Sequence, residues 1–235
     1  MLGTTLVLKG VSSELIRDPN GVLYSHRAPD GDWLPGGASS TGAGVLSASF
    51  PEHDLDELGR GAADHERTRV LAYPLLGRGE RFPFAAADAE GFMIGDPADD
   101  GEHFAALLQG LAYVERLCFD YLDHLGAPIE GPLSLTGGAA RNRYWCQVRA
   151  DVLERPVELP DNAESAFGMA VLAASVDRST ADAAAEMVTV GEVIEPRPDR
   201  VGRFREPYAR LLGELEERGW LNPTVAGHAR VRAGA

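Results

Sequence analysis

The longest periodic stretch in the chain begins at Phe104, and Leu107, Leu108, Leu111, Val114, Leu117, Cys118, Tyr121, Leu122 and Leu125 follow at spacings of three and one. This pattern predicts a long helix with one broad apolar face. Asp99 and Glu102 have the spacing of an N-terminal cap, and Gly126 and Pro128 close the helix. A short apolar run at 133–136 then stops at Gly137-Gly138. Next comes an amphipathic helix from about 141 to 153, with Tyr144, Trp145, Val148, Val152 and Leu153 on its apolar face. Pro156 ends that helix, and 157–159 reads as a strand. Asp161 or Asn162 caps a helix over 163–176, where Gly168, Ala170, Ala173 and Ala174 permit close packing against a neighbour. A last amphipathic helix spans 206–218, and the residues from Pro223 onward read as a frayed tail. The strand–helix–strand–helix order predicts an α/β layered domain.

The first hundred residues are more broken. Residues 6–8 read as a strand, and 13–41 are rich in turns. Asn20-Gly21 is a hairpin signal that predicts pairing of 15–16 with 22–24. Residues 36–42, GGASSTG, form a small hydroxyl-bearing loop that either touches a nucleotide or simply leads into a helix over 44–49. The acidic residues and histidines of 52–69 lack metal-ligand spacing and read as a solvated helical face. Residues 70–73 predict a strand, 74–83 a loop, and 91–95 a short strand or bend. Residues 96–107 fail as a calcium loop, because Ala98 and Leu107 stand where acids are needed.

Two stretches carry candidate chemistry. Adjacent glycines between a strand and a helix let backbone approach a ligand closely. The helix that follows Gly137-Gly138 offers free N–H groups and a positive dipole end to a phosphate or another polar nucleotide group. Gly3-Thr4-Thr5 offers a flexible backbone and two hydroxyls that suit phosphate oxygens; the alternative is a plain turn entering a strand.

Composition narrows the choice. A formal charge of −14 argues against a nucleic-acid partner. No apolar run reaches the roughly 18 residues of a membrane span, and no signal-peptide pattern is present. Cys118 and Cys146 lie in helical patterns, which points to a reducing, cytoplasmic setting and not to a disulfide framework. Lys9 is the only lysine, so the P-loop motif is absent. The G-x-G-x-x-G fingerprint follows no predicted strand, which disfavours a nicotinamide-dependent oxidoreductase.

Residues 135–174, LTGGAARNRYWCQVRADVLERPVELPDNAESAFGMAVLAA, resemble the nucleotide-binding half of the FGGY carbohydrate kinases, the family of glycerol, xylulose and ribulose kinases. The resemblance rests on Gly137-Gly138, Asn142, Ala150-Asp151, Pro156-Val157, Glu164, Gly168 and Ala170 in that order. Gly3-Thr4-Thr5 resembles the family's second phosphate motif, and Gly79-Glu80-Arg81-Phe82-Pro83 its loop before the long helix, so the likeness covers roughly 3–220. It implies a ribonuclease-H-like ATPase domain of the actin and hexokinase type, with a mixed sheet and flanking helices over residues 1–222. It also implies ATP and Mg²⁺ as cofactors. Gly3, Thr4 and Thr5 would hold the terminal phosphates, Gly137, Gly138 and Asn142 the adenosine, and Gly36, Gly37 and Ser40 would lie beside the ribose and phosphates.

The family's aspartate base belongs to a segment before the Gly-Thr motif, and no aspartate here matches it. Neither Asp151 nor Asp161 is nominated, because their positions suit a helix interior and a cap. The expectation is therefore the C-terminal half of a sugar or polyol kinase, pentuloses favoured, without its N-terminal domain and inactive alone. A homodimer or a split-enzyme partner would cover the face meant for that domain. The alternative is a non-catalytic nucleotide-binding or regulatory remnant of such a kinase.

Overall fold

Leu2, Leu6 and Leu8 anchor the N-terminus of the computed structural model, which describes residues 1–234. Leu2 and Leu6 face each other across a tight hairpin whose second arm is β1 (Val7–Lys9). With β2 (Tyr24–Arg27) and β3 (Trp33–Ala38), β1 forms a three-stranded antiparallel sheet that has β3 in the middle. Leu8 stands opposite Gly37 and Ser25 opposite Pro35. The expected pairing of 15–16 with 22–24 does not form, and Asp18 is the reason. Its carboxylate accepts the backbone N–H groups of Asn20, Val22 and Leu23, taking donors that a ladder would have used. The chain therefore reaches β3 through residues 24–27.

After α1 (Gly44–Ser49), Asp54 caps α2 (Leu55–Gly61) by accepting from Asp56 and Glu57. The long hairpin of β4 (Leu71–Glu80) and β5 (Ala86–Ile94) replaces the loop expected over 74–83. Its register shifts at Arg78 and Glu80, which is how a strand accommodates Pro74, Gly77 and Gly79. α3 (Asp100–His124) starts as the sequence indicates. The Asp99 carboxylate accepts from Glu102 N at 2.9 Å, and Glu102 accepts from Ala98 N at 2.8 Å. Gly110 lets α3 cross β4 closely, since a Cβ there would strike the Ala72 backbone.

Residues 133–136 contribute only one parallel bridge, Ser134 to Glu158. α4 (Arg143–Leu153) ends at Glu154, the one described non-glycine residue with positive φ, at 56°. β6 (Val157–Pro160), α5 (Ser165–Ala174), α6 (Thr180–Met187) and β7 (Val190–Ile194) follow, with β7 antiparallel to β6. The small residues expected to seat the fifth helix against a neighbour do not do so within this chain. Only Val171 of α5 is buried, and a Cβ on Gly168 would meet open space. The named strands form three small antiparallel sheets flanked by helices, and the Ser134 bridge adds a parallel contact to β6.

α7 (Arg205–Glu217) buries Tyr208, Leu211, Leu212 and Leu215. Residues 223–234 are not a frayed tail. They form α8 (Pro223–Ala233), capped by Asn222, and Val225, Ala226, Ala229 and Ala233 enter the same core as Leu2. Arg232 reinforces the dock by donating to the buried Asp120 at 2.8 Å. The domain therefore runs past residue 222.

Candidate functional site

Gly137 adopts φ 96°, a backbone conformation that favours glycine, and a Cβ there would lie 2.5 Å from the Leu2 carbonyl oxygen. The contact is closed by hydrogen bonds from Leu2 N to Thr136 O at 2.9 Å and from Ala139 N to Leu2 O at 3.4 Å. Gly138 is exposed, with no atom within 4 Å of where its Cβ would be. It opens onto a cavity of about 600 Å³. The 138–141 turn forms one wall of this cavity. Leu159-Pro160 at the end of β6 and Ala163 to Ser165 at the start of α5 form the other. Arg141 and Arg143 stand at its rim, and Arg143 pairs with Glu192 at 2.6 Å.

Leu2 also leads directly into Gly3-Thr4-Thr5, the tip of the N-terminal hairpin. A second loop grips that tip. Leu6 N donates to Thr41 O at 2.8 Å, Ser39 N to Leu6 O at 2.9 Å, Ala43 N to Gly3 O at 2.9 Å and Gly44 N to Thr4 O at 3.2 Å. Gly42 and Gly44 permit the approach, since a Cβ on either would strike Thr5 or Thr4. Among the described residues, the Thr4 and Thr5 backbone N–H groups have no protein acceptor. The tip thus presents free N–H donors and hydroxyls, the groups that bind phosphate oxygens.

The other expected site residues are placed differently. Gly36 and Gly37 lie inside β3, where a Cβ would collide with the Leu8 backbone and the Phe82 ring. Both glycines are buried, and the sheet and its packing account for them. Ser40 is half-buried, and its backbone N–H is spent on Glu80 at 2.6 Å. Asn142 caps α4, its Oδ1 accepting from Trp145 N at 2.9 Å, while its amide sits against Gly59. It borders a separate hollow with Asp56, Arg60 and Tyr144, outside the lining of the Gly138 cavity.

The family model for the C-terminal domain of the FGGY family of carbohydrate kinases matches residues 1–176. The chain belongs to this family. It is 25% identical over 217 residues to the xylulose kinase of Bacillus subtilis, covering 87% of this chain and 43% of that protein. It is 27% identical over 185 residues to the gluconokinase of Bacillus licheniformis, covering 70% of this chain and 35% of that protein. Among solved structures, the xylulose kinase of Rhodospirillum rubrum superposes with a TM-score of 0.74 at 27% identity, over 92% of this chain and 46% of that one. The chain spans less than half the length of these relatives. Its fold is the ribonuclease-H-like one of actin and hexokinase, as expected.

As an FGGY domain, the chain brings two segments more than 130 residues apart into contact through Leu2. Among the described residues no group of three or more His, Cys, Asp or Glu is poised for a metal ion. Asp151 serves the scaffold. Its wholly buried carboxylate accepts from Arg197 N at 2.7 Å, from the Arg197 guanidinium and from Gln147. Sequence reasoning missed Arg141, Arg143, Glu164 and Ser165 as cavity residues; Glu164 belongs to a recognised motif and the other three directly flank motif residues, the only signal available. It also missed what Glu80 does within its own motif.

Glu80 is 4% exposed and gathers donors from several directions. Its Oε2 accepts from Ser39 Oγ at 2.9 Å, Thr41 Oγ1 at 3.0 Å and Tyr73 Oη at 3.0 Å. Its Oε1 accepts from Ser40 N at 2.6 Å and Arg81 N at 2.9 Å. Burial, then the neighbouring Glu80 charge, pushes the Tyr73 hydroxyl far above the usual tyrosine range, so it remains a donor.

Proposed function

We propose that this chain is the ATP-binding half of a carbohydrate kinase that phosphorylates a sugar or polyol, with pentuloses favoured, using ATP–Mg²⁺. The observation that carries the proposal is the Leu2 contact, which ties the residue leading into Gly3-Thr4-Thr5 to the backbone around Gly137-Gly138. Thr4 and Thr5 then hold the terminal phosphates through N–H groups and hydroxyls, while the adenosine lies over Gly138 in the cavity beside β6. Positioning and charge stabilisation of this kind are the main demands of phosphoryl transfer. The aspartate that accepts the substrate hydroxyl proton comes from an N-terminal half.

The exposed face of α5 supports such a partner. Met169 and Leu172, with Val176 just beyond the helix and Val190 and Val193 of β7, leave a set of large apolar side chains in water. The free, buried thiols of Cys118 and Cys146 suit a reducing cytoplasm, and among the described residues no helix is long and apolar enough to cross a membrane.

The test is calorimetry with ATP–Mg²⁺ together with a coupled kinase assay over ketoses and polyols, run with and without an N-terminal half from a xylulose kinase. The chain alone should bind ATP and phosphorylate nothing, and the reconstituted pair should turn over a pentulose. Robust phosphorylation by the isolated chain would overturn the assignment of the base to the other half. Nucleotide binding with no activity in any pairing would favour a non-catalytic, regulatory remnant.

A further inference from the structure

Glu80 is an unusual group to find under a loop assigned to phosphate. It is an acid at the end of β4, almost wholly buried, and none of the ion pairs among the described residues includes it. Burying an acidic side chain without a cation is costly unless donors surround it. Here they do: the Ser39, Thr41 and Tyr73 hydroxyls and the backbone N–H groups of Ser40 and Arg81. Three of those five donors belong to three consecutive residues, 39–41, so one side chain fixes the conformation of that turn. A further bond, from Arg81 Nε to Ala38 O at 2.8 Å, holds the same turn from outside.

The turn in question is the one that grips the hairpin tip. Ser39 and Thr41 exchange backbone hydrogen bonds with Leu6, and the next residues, Ala43 and Gly44, donate to Gly3 and Thr4. The path from Glu80 to the free N–H groups of Thr4 and Thr5 is therefore one turn and one set of backbone bonds long. The Gly138 cavity does not share this path. Its lining includes no residue of the 39–44 loop and does not include Glu80.

We propose that Glu80 is a positioning residue for phosphate, fixing the 39–41 turn so that the Gly3-Thr4-Thr5 tip holds its N–H groups toward the terminal phosphates of a nucleotide. This rests on the nucleotide reading above. It gives the Gly-Glu-Arg-Phe-Pro segment a defined task, although Glu80 itself touches no ligand. Because the turn acts on one end of the ligand, the effect is selective: phosphates lose affinity when the turn loosens, and the base and ribose do not.

The experiment is calorimetry of the full chain with two probes, ATP–Mg²⁺ and adenosine, on wild type, Glu80→Gln and Thr41→Val. Glu80→Gln keeps the shape but replaces an acceptor with a donor facing Ser39, Thr41 and Tyr73. Loss of a hydrogen bond to a charged group corresponds to about tenfold or more in affinity. ATP binding should therefore weaken about tenfold in Glu80→Gln and several-fold in Thr41→Val, with adenosine affinity unchanged in both. Thr41→Val removes a single donor, so it decides the matter if Glu80→Gln does not fold. Equal weakening of ATP and adenosine would reduce Glu80 to a general scaffold role and overturn the proposal, as would unchanged ATP affinity in the variants. Wild type that binds neither probe would overturn the nucleotide reading itself, and this inference with it.

Discussion

The Leu2 carbonyl oxygen lies 2.5 Å from where a Cβ on Gly137 would be, while the neighbouring Gly138 has nothing within 4 Å. Two adjacent glycines therefore answer to different demands, one to the fold and one to open space. Gly137→Ala should cost about 2 kcal/mol through its positive φ and the clash with Leu2, lowering Tm by roughly 4–8 °C. Gly138→Val should change stability by less than about 1 kcal/mol yet weaken ATP binding. Thermal melts and calorimetry on the two variants separate these outcomes; undiminished ATP binding by Gly138→Val would refute the cavity as the nucleotide site.

Arg149 and Glu115 form a bidentate pair at 2.6 and 2.7 Å between α4 and α3, with both side chains nearly inaccessible. Arg149 Nη1 is buried without a partner, so the pair is not fully satisfied. Glu115→Leu alone leaves an uncompensated cation and should destabilise by about 3–5 kcal/mol. The double variant Glu115→Leu, Arg149→Met should recover most of that loss in urea denaturation. A double variant no more stable than the single one would show that the pair stabilises beyond its own desolvation.

Acid should unfold the protein partly through Asp18 and Glu154. Burial alone would raise both carboxyls. For Asp18, the N–H of Leu23 and the Tyr121 hydroxyl, with Asn20 and Val22, bring the pKa below its usual value; for Glu154, Arg205 and Arg116 do so. A depressed folded-state pKa contributes stability that is present above the unfolded value, near 4 for these acids, and is lost as pH falls through the folded one. Asp18→Asn should therefore lower Tm at pH 7 and flatten its decline below about pH 4. An acid limb identical to wild type would exclude Asp18 as a contributor.

Cys118 and Cys146 are buried, and burial raises both thiols above the usual range. Neither should react with a thiol reagent such as dithionitrobenzoate in the native protein, and both should react in denaturant. Rapid native labelling of Cys146 would mean that the packing of α4 against the 138–141 turn opens readily.

Ending the chain at residue 222 removes Val225, Ala226, Ala229 and Ala233 from the core and Arg232 from Asp120. Expression of that truncation should yield an aggregating or strongly destabilised protein, measurable by light scattering and circular dichroism. A soluble truncation with native Tm would make α8 an ornament.

That helix also shows where sequence reading falls short. Most of the core residues of α8 are alanines, and alanine carries almost no hydropathy contrast, so no apolar stripe is visible; Asn222 followed by Pro223 was the readable start signal. By contrast α3 was legible at both ends, because large side chains repeat and Asp99, Glu102 and Gly126 punctuate it. The β4–β5 hairpin hid behind Pro74, Gly77 and Gly79, which a register shift accommodates. The contact that Leu2 makes between the Gly-Thr-Thr segment and the Gly-Gly turn was not legible, since no local pattern encodes a long-range backbone bond. Gly36, Gly37 and Asn142 carry structural duties that no local pattern announces, the glycines in close packing and the asparagine in a cap.

The N-terminal hairpin is held at one arm by Thr136 and Ala139, through Leu2, and at the other by Ser39 and Thr41, through Leu6. Only three residues, Gly3, Thr4 and Thr5, separate those two clamps along the chain from Leu2 to Leu6. The segment thus acts as a spacer of fixed covalent length between the 136–139 backbone and the 39–41 turn. Substitutions at the tip alter its chemistry, whereas adding or removing a residue there would change the distance between the two clamps and put them out of step.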